Sequence, residues 1–341
     1  MTPENLSKKG KLFKPRDAKL FKPRNSLGNT GGQFYTAKNP EYGAVFTYNL
    51  NDVPKTSKSL RMQRERKLNT DNKDVPFPGY DKLADEMNEK PASIILTIKD
   101  SEGNHIRNIK KNASNGSSRI AWNLRHKSYY PVRAGRGQSN FWFNPSGPYV
   151  TPGEYHAEIY LENNGSVEKL DGPIAFNVKP LRKGTLQGAS YNEYNSFRTR
   201  VSNLYVSMSK YQDEFNMMKS KIELLDKASL QLETFSPEIM KKISEFKAKY
   251  NDFDSETGSN PARDEICEWD KPTISMRVQI AMQGLSTSYG PTDLNKSNLD
   301  IAERLFEKLA SDVKQFKSEL ESLEYEVKEL NPPHLSGTGI N

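Results

Sequence analysis

EYHAEIYLE, residues Glu154–Glu162, alternates without a break. Tyr155, Ala157, Ile159 and Leu161 fall on one side, and His156, Glu158, Tyr160 and Glu162 on the other. A period of two sends successive side chains to opposite faces of an extended chain, so this is a strand with one buried face. The pattern recurs on both sides of it. In Arg119–Arg125 (RIAWNLR), Ile120, Trp122 and Leu124 oppose Arg119, Ala121, Asn123 and Arg125; in Pro173–Lys179 the apolar set is Ile174, Phe176 and Val178. Thr151-Pro152-Gly153 launches the central strand, and Asn163-Asn164-Gly165 folds it into a hairpin. Upstream, Ser93–Lys99, a turn at Asp100–Asn104 and His105–Ile109 extend the series, and Asn115-Gly116 turns into the Trp122 strand. Gly43–Leu50, with Ala44, Phe46, Tyr48 and Leu50 alternating, reads as the first strand. These add up to about seven strands, the number expected of an antiparallel Ig-like β-sandwich. No helical pattern separates them, which excludes a parallel α/β sheet. Trp122 is expected at the centre of the core, facing Tyr155, Ala157 and Ile159, where the small Ala157 leaves room for an indole.

Ahead of the sandwich, residues 1–38 read as an extended basic arm. KLFKPRD (Lys11–Asp17) and KLFKPRN (Lys19–Asn25) form a doublet, and each Pro drives the Lys before it toward extended geometry. With Phe13 and Phe21 as its only large aromatics, this segment has no core of its own and is expected to lie along other parts of the chain. The sandwich, 39–181, is interrupted at 52–92 by a polar, helical excursion. There Thr56 is placed to cap a basic helix reaching about Leu68, and Pro76-Phe77-Pro78-Gly79 precedes an acidic helical turn at Asp81–Glu89.

After Pro180 the period becomes 3.5. Phe197, Val201, Leu204, Met208, Tyr211, Phe215, Met218, Ile222, Leu225 and Leu232 keep heptad spacing apart from Ser229. At ~1.5 Å per residue they describe one very long helix. Ser236-Pro237-Glu238 ends it and starts another, with Ile239, Ile243, Phe246 and Tyr250 as its stripe. A loop at Asn251–Lys271 leads to a shorter helix bearing Ile274, Val278, Ala281 and Leu285. Past Gly290-Pro291, Phe306, Leu309, Val313, Phe316, Leu320, Leu323, Val327 and Leu330 mark a last long helix. The fold class is therefore α+β and multidomain: the sandwich, then an antiparallel helical bundle over 182–335 with two long heptad helices, then a tail at 336–341. The two long helices are expected to pair within the chain as a hairpin, because the amphipathic helices between them need a groove for their stripes.

Charge and composition narrow the function classes. The formal net charge of +7 is concentrated: residues 1–30 carry eight Lys/Arg against two Asp/Glu, and Lys55–Lys67 six against Glu65 alone. A basic segment suits an acidic surface or nucleic acid, but a partner-wrapping arm is the plainer reading, and no nucleic-acid partner is assigned. The single cysteine, Cys267, rules out an internal disulfide. No apolar run approaches the ~18 residues of a membrane span, and MTPENLSKKG holds no signal-peptide core.

No catalytic constellation emerges, and no cofactor or metal is assigned. His105, His126, His156 and His334 have no ligand spacing. Asp264, Glu265, Glu268 and Asp270 surround Cys267 and Trp269 without the glycine and alternating oxygens of a calcium loop. No spacing marks the facing carboxylate pair of a glycosidase, and Arg198 and Arg200 read as surface charges or contacts to the sandwich rather than phosphate ligands. The candidate site is the long loop Lys127–Thr151, with Tyr129, Tyr130, Arg133, Arg136, Phe141, Trp142 and Phe143. Rings beside arginines suit the C–H faces and hydroxyls of a sugar. Left exposed, the same rings would form an aggregating patch, so the competing role is that Phe141-Trp142-Phe143 plugs the seam between sandwich and helices.

FKPRD, GNTGGQFYTAKNPEYGAVFTYNL, RIAWNLRHKSYYPV, GPYVTPGEYHAEIYL and GPIAFNVKPL together resemble one bacterial family. Its members are large secreted proteins with an N-terminal sortilin-type, sialidase-like β-propeller, often labelled glycosyl-hydrolase-like. Their C-terminal part is an Ig-like domain followed by a helical hairpin. The resemblance covers nearly the whole chain and is most specific at WNLR, PGEY and VKPL. It implies that the arm is the exit from the last propeller blade, that the propeller is the principal partner, and that the location is secreted, periplasmic or cell-envelope. It also implies a non-catalytic structural and interaction module. The alternative is a carbohydrate-binding accessory region of a glycoside hydrolase-like enzyme, and another envelope protein is a further candidate partner. Catalysis labelled on the family does not transfer to these residues.

Overall fold

The computed structural model describes residues 2–23, 37, 39–132, 146–182, 184–258 and 260–333. Helix takes 46% and strand 21%, and the two are segregated. The first of two compact units, Met1–Ser128 with Ser146–Thr185, contains every described strand. It runs α1 (Pro3–Leu6), β1 (Gly10–Leu12), β2 (Ala18–Leu20), β3 (Ala44–Leu50), α2 (Ser57–Thr70) and α3 (Tyr80–Asn88). It continues with β4 (Ser93–Asp100), β5 (His105–Asn112), β6 (Gly116–Trp122), β7 (Gly153–Asn163) and β8 (Ser166–Pro180). The strands form a three-stranded sheet, β1-β3-β6, and a curled five-stranded sheet, β2-β8-β7-β4-β5.

The alternation explains which side chains meet. Phe46, Tyr48 and Trp122 of the smaller sheet share one buried core with Ile94, Ile98, Ala157 and Phe176 of the larger. Trp122 is fully buried, edge-on to Tyr155 at 5.3 Å and to Phe176 at 6.0 Å. The β7–β8 hairpin closes as read: Asn163 pairs with Ser166, and Asn164 and Gly165 both have positive φ, the two-residue geometry that matches strand twist.

Two features differ from the sequence reading. The strand expected over Arg119–Arg125 ends at Trp122, because Leu124 turns into the left-handed region at φ 56°. Its side chain still reaches the core. The arm also forms two strands before β3. β1 pairs antiparallel with β3, and β2 pairs parallel with β8, so one arm edges both sheets. Leu12 and Ala18 are buried, and Asp171 on β8 accepts from the Leu12 amide and the Lys11 ammonium, both at 2.8 Å.

The second unit, Tyr129–Pro145 with Leu186–Asn341, is helical. It contains α4 (Tyr191–Ser229), α5 (Pro237–Thr257), α6 (Pro261–Glu265), α7 (Ile274–Gln283), a 3₁₀ turn (Gly284–Ser286) and α8 (Asp293–Lys328). The predicted stripes meet in one core, Phe197, Leu204, Phe215 and Ile222 of α4 with Ile243, Val278, Leu309 and Phe316. Caps set the starts: Ser236 accepts from Ile239 N at 3.4 Å, and Thr292 and Asn295 form a capping box. The expected loop at Asn251–Lys271 is shorter, since α5 continues to Thr257 and α6 follows.

The antiparallel pairing expected of the two long helices is corrected. Ion pairs link Glu193 with Lys296, Arg200 with Glu303, Glu214 with Lys317 and Lys221 with Glu324. Partners advance together along both helices, so α4 and α8 run parallel. α5 carries the chain back, and its pairs Lys242–Glu326 and Lys249–Glu319 run in opposite order. Heptad spacing reads the same in either direction, which is why it left the orientation open.

Candidate functional site

The aromatic loop begins at a closed neck. Beyond Leu124, the Val150 amide donates to Leu124 O and the His126 amide to Pro148 O, both at 2.9 Å. Arg125 and Tyr149 bridge these two short segments, with the guanidinium 3.7 Å above the phenol ring and Nη1 donating to Gly147 O at 3.0 Å. A side chain at residue 147 would begin 2.2 Å from Lys127 O, so only glycine lets the two segments close. The Lys127 amide donates to Ile106 O at 3.0 Å and fastens the neck to β5.

Of the candidate loop residues, Tyr129 and Tyr130 are described. Both are half-buried and belong with the helical unit. Their rings lie 5.0 Å apart, and each is 5.1 Å from Tyr205 of α4, packed edge-on. Arg133, Arg136, Phe141, Trp142 and Phe143 lie outside the described residues. Tyr205 is a member of the cluster that sequence reasoning passed over. It sits one position off the heptad stripe, beside Leu204, and nothing local in the sequence marks it. The edge-on contacts of Tyr205 with both rings hold a chain segment by dispersion and quadrupole complementarity, and they use ring surface that a sugar would stack on.

The other candidates stay apart. His105 bonds Asn108 at 2.8 Å, whereas His156 faces Glu154 at 3.6 Å and the Asp100 carbonyl at 3.4 Å. His334 lies outside the described residues. Among the described residues, no group of three or more His, Cys, Asp or Glu is arranged to hold a metal ion. In the acidic loop, Arg263 lies 3.8 Å from both Glu268 and Asp270 and donates to Trp269 O, so a cation already occupies its centre. Arg200 is engaged by Asp300 and Glu303 as a helix-to-helix contact.

Glu158 was legible in position but not in role, and Asp171 falls outside the strand read over Pro173–Lys179, in the part of β8 that the sequence did not mark. Glu158, on the outward face of β7, is buried between Lys169 at 2.6 Å and Lys99 at 2.8 Å, with the Tyr160 hydroxyl donating at 2.9 Å. The Lys169 and Lys99 ammoniums pull its carboxyl down to about 2. Burial alone would raise Asp171, but Lys11 and the Leu12 and Gly172 amides outweigh that and lower it. Alternation gives the face of a residue; it does not give partners contributed by other strands.

No family profile and no curated protein matches the chain. No helix among the described residues is long and apolar enough to cross a membrane.

Proposed function

We propose that this chain is a non-catalytic structural and interaction module. In this reading it is the C-terminal part of a larger secreted or envelope protein with a sortilin-type, sialidase-like β-propeller. An Ig-like β-sandwich and a heptad-packed helical bundle brace the propeller and offer a docking surface to a partner. The observation that carries the reading is the arm. Residues Gly10–Leu20 edge both sheets, and Asp171 ties Lys11 and Leu12 to β8. A segment anchored at two sheets passes on the orientation of whatever precedes it, whereas a loose linker would not. Trp122 wedged against Tyr155 and Phe176 supports the Ig-like reading. The four-three spacing of buried Val201, Leu204, Phe215, Met218, Ile222 and Leu225 supports the heptad one.

The test is calorimetric titration of the chain with a separately produced propeller of the resembling family. Saturable binding that raises the melting temperature of the complex is expected. Absence of binding, together with glycan-array binding that vanishes in Trp142→Ala, would overturn the reading in favour of a carbohydrate-binding accessory.

A further inference from the structure

The small sheet has one closed edge and one open one. β1 of the arm takes the side of β3 away from β6, so β6 ends this sheet as β5 ends the larger one. Which backbone groups of β6 stay unpaired follows from its neighbour. Thr47 O accepts from the Phe13 amide at 2.9 Å, so Thr47 turns its backbone toward the arm, and Val45 and Asn49 share its parity. Their partners on β6 are Arg119, Ala121 and Ser117. In an antiparallel ladder such pairs exchange no hydrogen bonds, and their amides and carbonyls point away from each other. Ser117, Arg119 and Ala121 therefore present N–H and C=O along a free edge. A side chain reaches that edge: the Lys111 ammonium donates to Arg119 O at 2.7 Å.

Charge says what fits there. Residues 103–153 hold eight Lys/Arg and no Asp/Glu. Lys99, Lys110 and Lys169 of the larger sheet each meet a carboxylate, Glu158 or Glu162. Around the β6 edge, among the described residues, no Arg or Lys does. Arg107 reaches only Asn123 Oδ1 and His126 O, both at 3.4 Å, and Arg119 and Lys127 are exposed. Burial and the Arg125 charge both disfavour the charged form of Arg107, a cost that an incoming anion would relieve. The segments outside the described residues contain no Asp or Glu, so the missing charge does not come from them. A second copy of β6 would set Arg119 against Arg119, and like charges across strands repel, which guards the edge against self-association. Nucleic acid or an acidic glycan would meet the side-chain charges without pairing the edge. An extended acidic peptide meets both.

We propose that the free edge of β6 accepts an extended acidic peptide as an added strand. The peptide backbone pairs with Ser117, Arg119 and Ala121, and one of its amides replaces the Lys111 ammonium at Arg119 O. Its carboxylates meet Lys111, Arg107 and Arg119. This edge lies opposite the arm, so the proposal and the propeller reading stand or fall separately. The probe is a fluorescein-labelled peptide of alternating Glu with Val and Thr, titrated into the full chain by anisotropy. Saturable binding that weakens as salt rises is expected. Bound peptide should slow hydrogen exchange at the Arg119 and Ala121 amides about tenfold or more. Lys111→Glu/Arg119→Glu should weaken binding about tenfold or more. Ala121→Pro should do the same with no change of charge, because the amide it removes points away from β3 and an edge strand tolerates proline there. If either variant melts early, the acidic peptide N-methylated at every residue replaces it, and wild type must fail to bind it. A peptide that does not bind at the highest soluble concentration would overturn the proposal. So would unchanged exchange in the complex, or an N-methylated peptide, a Lys-for-Glu peptide or a DNA strand of equal charge that binds as tightly.

Discussion

Trp122 has its indole wedged edge-on between Tyr155 and Phe176, and its Nε1 donates to Arg125 O at 2.9 Å. Trp122→Ala therefore loses a large buried ring and leaves a cavity that the surrounding strands cannot fill. A loss of about 3–5 kcal/mol is expected, read by urea denaturation. Trp122→Phe keeps most of the ring and loses less. An unchanged midpoint for the alanine variant would put the indole outside the core. The indole's burial was legible from alternation alone. The turn at Leu124 was not, because alternation registers side-chain polarity and not the sign of φ. Glu158 makes a pH prediction. Its folded value of about 2 lies below the ordinary carboxylate value of 4.5, held there by Lys169 and Lys99. The folded state therefore binds its proton less readily than the unfolded chain. The resulting stabilisation is present above about 4.5 and fades as the pH falls through 2. Glu158→Gln should be less stable at neutral pH, with the gap to wild type narrowing between those limits in pH-resolved thermal melts. A gap that stays constant down to the lower limit would remove the ion cluster as its cause.

At the scale of the element, the arm sets sequence and structure against each other most clearly. KLFKPRD and KLFKPRN each offer only a short extended run before Pro15 or Pro23 interrupts it. Three-residue strands fall below what a period-2 pattern can signal, and their pairing depends on edges contributed by β3 and β8. Sequence reasoning accordingly saw an arm lying along the chain and missed its two strands. The bonds are specific: the Phe13 amide donates to Thr47 O at 2.9 Å, the Leu181 amide to Leu20 O at 3.0 Å, and the Leu12 amide to Asp171 at 2.8 Å. Hydrogen exchange should find the Leu12 and Phe13 amides slow, because opening them requires release from a sheet edge. Asp171→Ala removes an acceptor for a buried amide together with the partner of Lys11. It should speed exchange at Leu12 at least tenfold, the effect of about 1.4 kcal/mol in opening. Fast exchange of both amides in the wild type would mean that the arm does not hold the sheets in solution.

For the molecule as a whole, the orientation of the helices follows from how the chain returns. The short link after Ser229 turns α4 into α5, α5 runs back alongside both long helices, and α8 then rises parallel to α4. Exposed ion pairs such as Arg200–Asp300 each contribute little, at most about 1 kcal/mol, and do not impose this direction. Buried stripes of Phe215, Ile222, Leu309 and Phe316 supply the packing energy, and the ion pairs record the register that packing selects. Spin labels distinguish the two orientations. With the exposed Cys267 replaced by serine, labels at Arg200→Cys and Glu303→Cys should lie close together. Moving the second label to Glu324→Cys should lengthen the distance by about 30 Å, since each helical residue advances ~1.5 Å along the axis. An antiparallel pair gives the reverse order, with position 200 nearer to 324 than to 303. The parallel arrangement also starts both long helices at one end of the unit. There Tyr194 donates to Leu285 O at 3.2 Å and the Ala189 amide to Tyr289 O at 2.9 Å. Tyr194→Phe removes one of those ties without touching the stripes, so it should leave both label distances in place. A distance that shifts in Tyr194→Phe would mean that the end contacts, and not the buried stripes, hold the register.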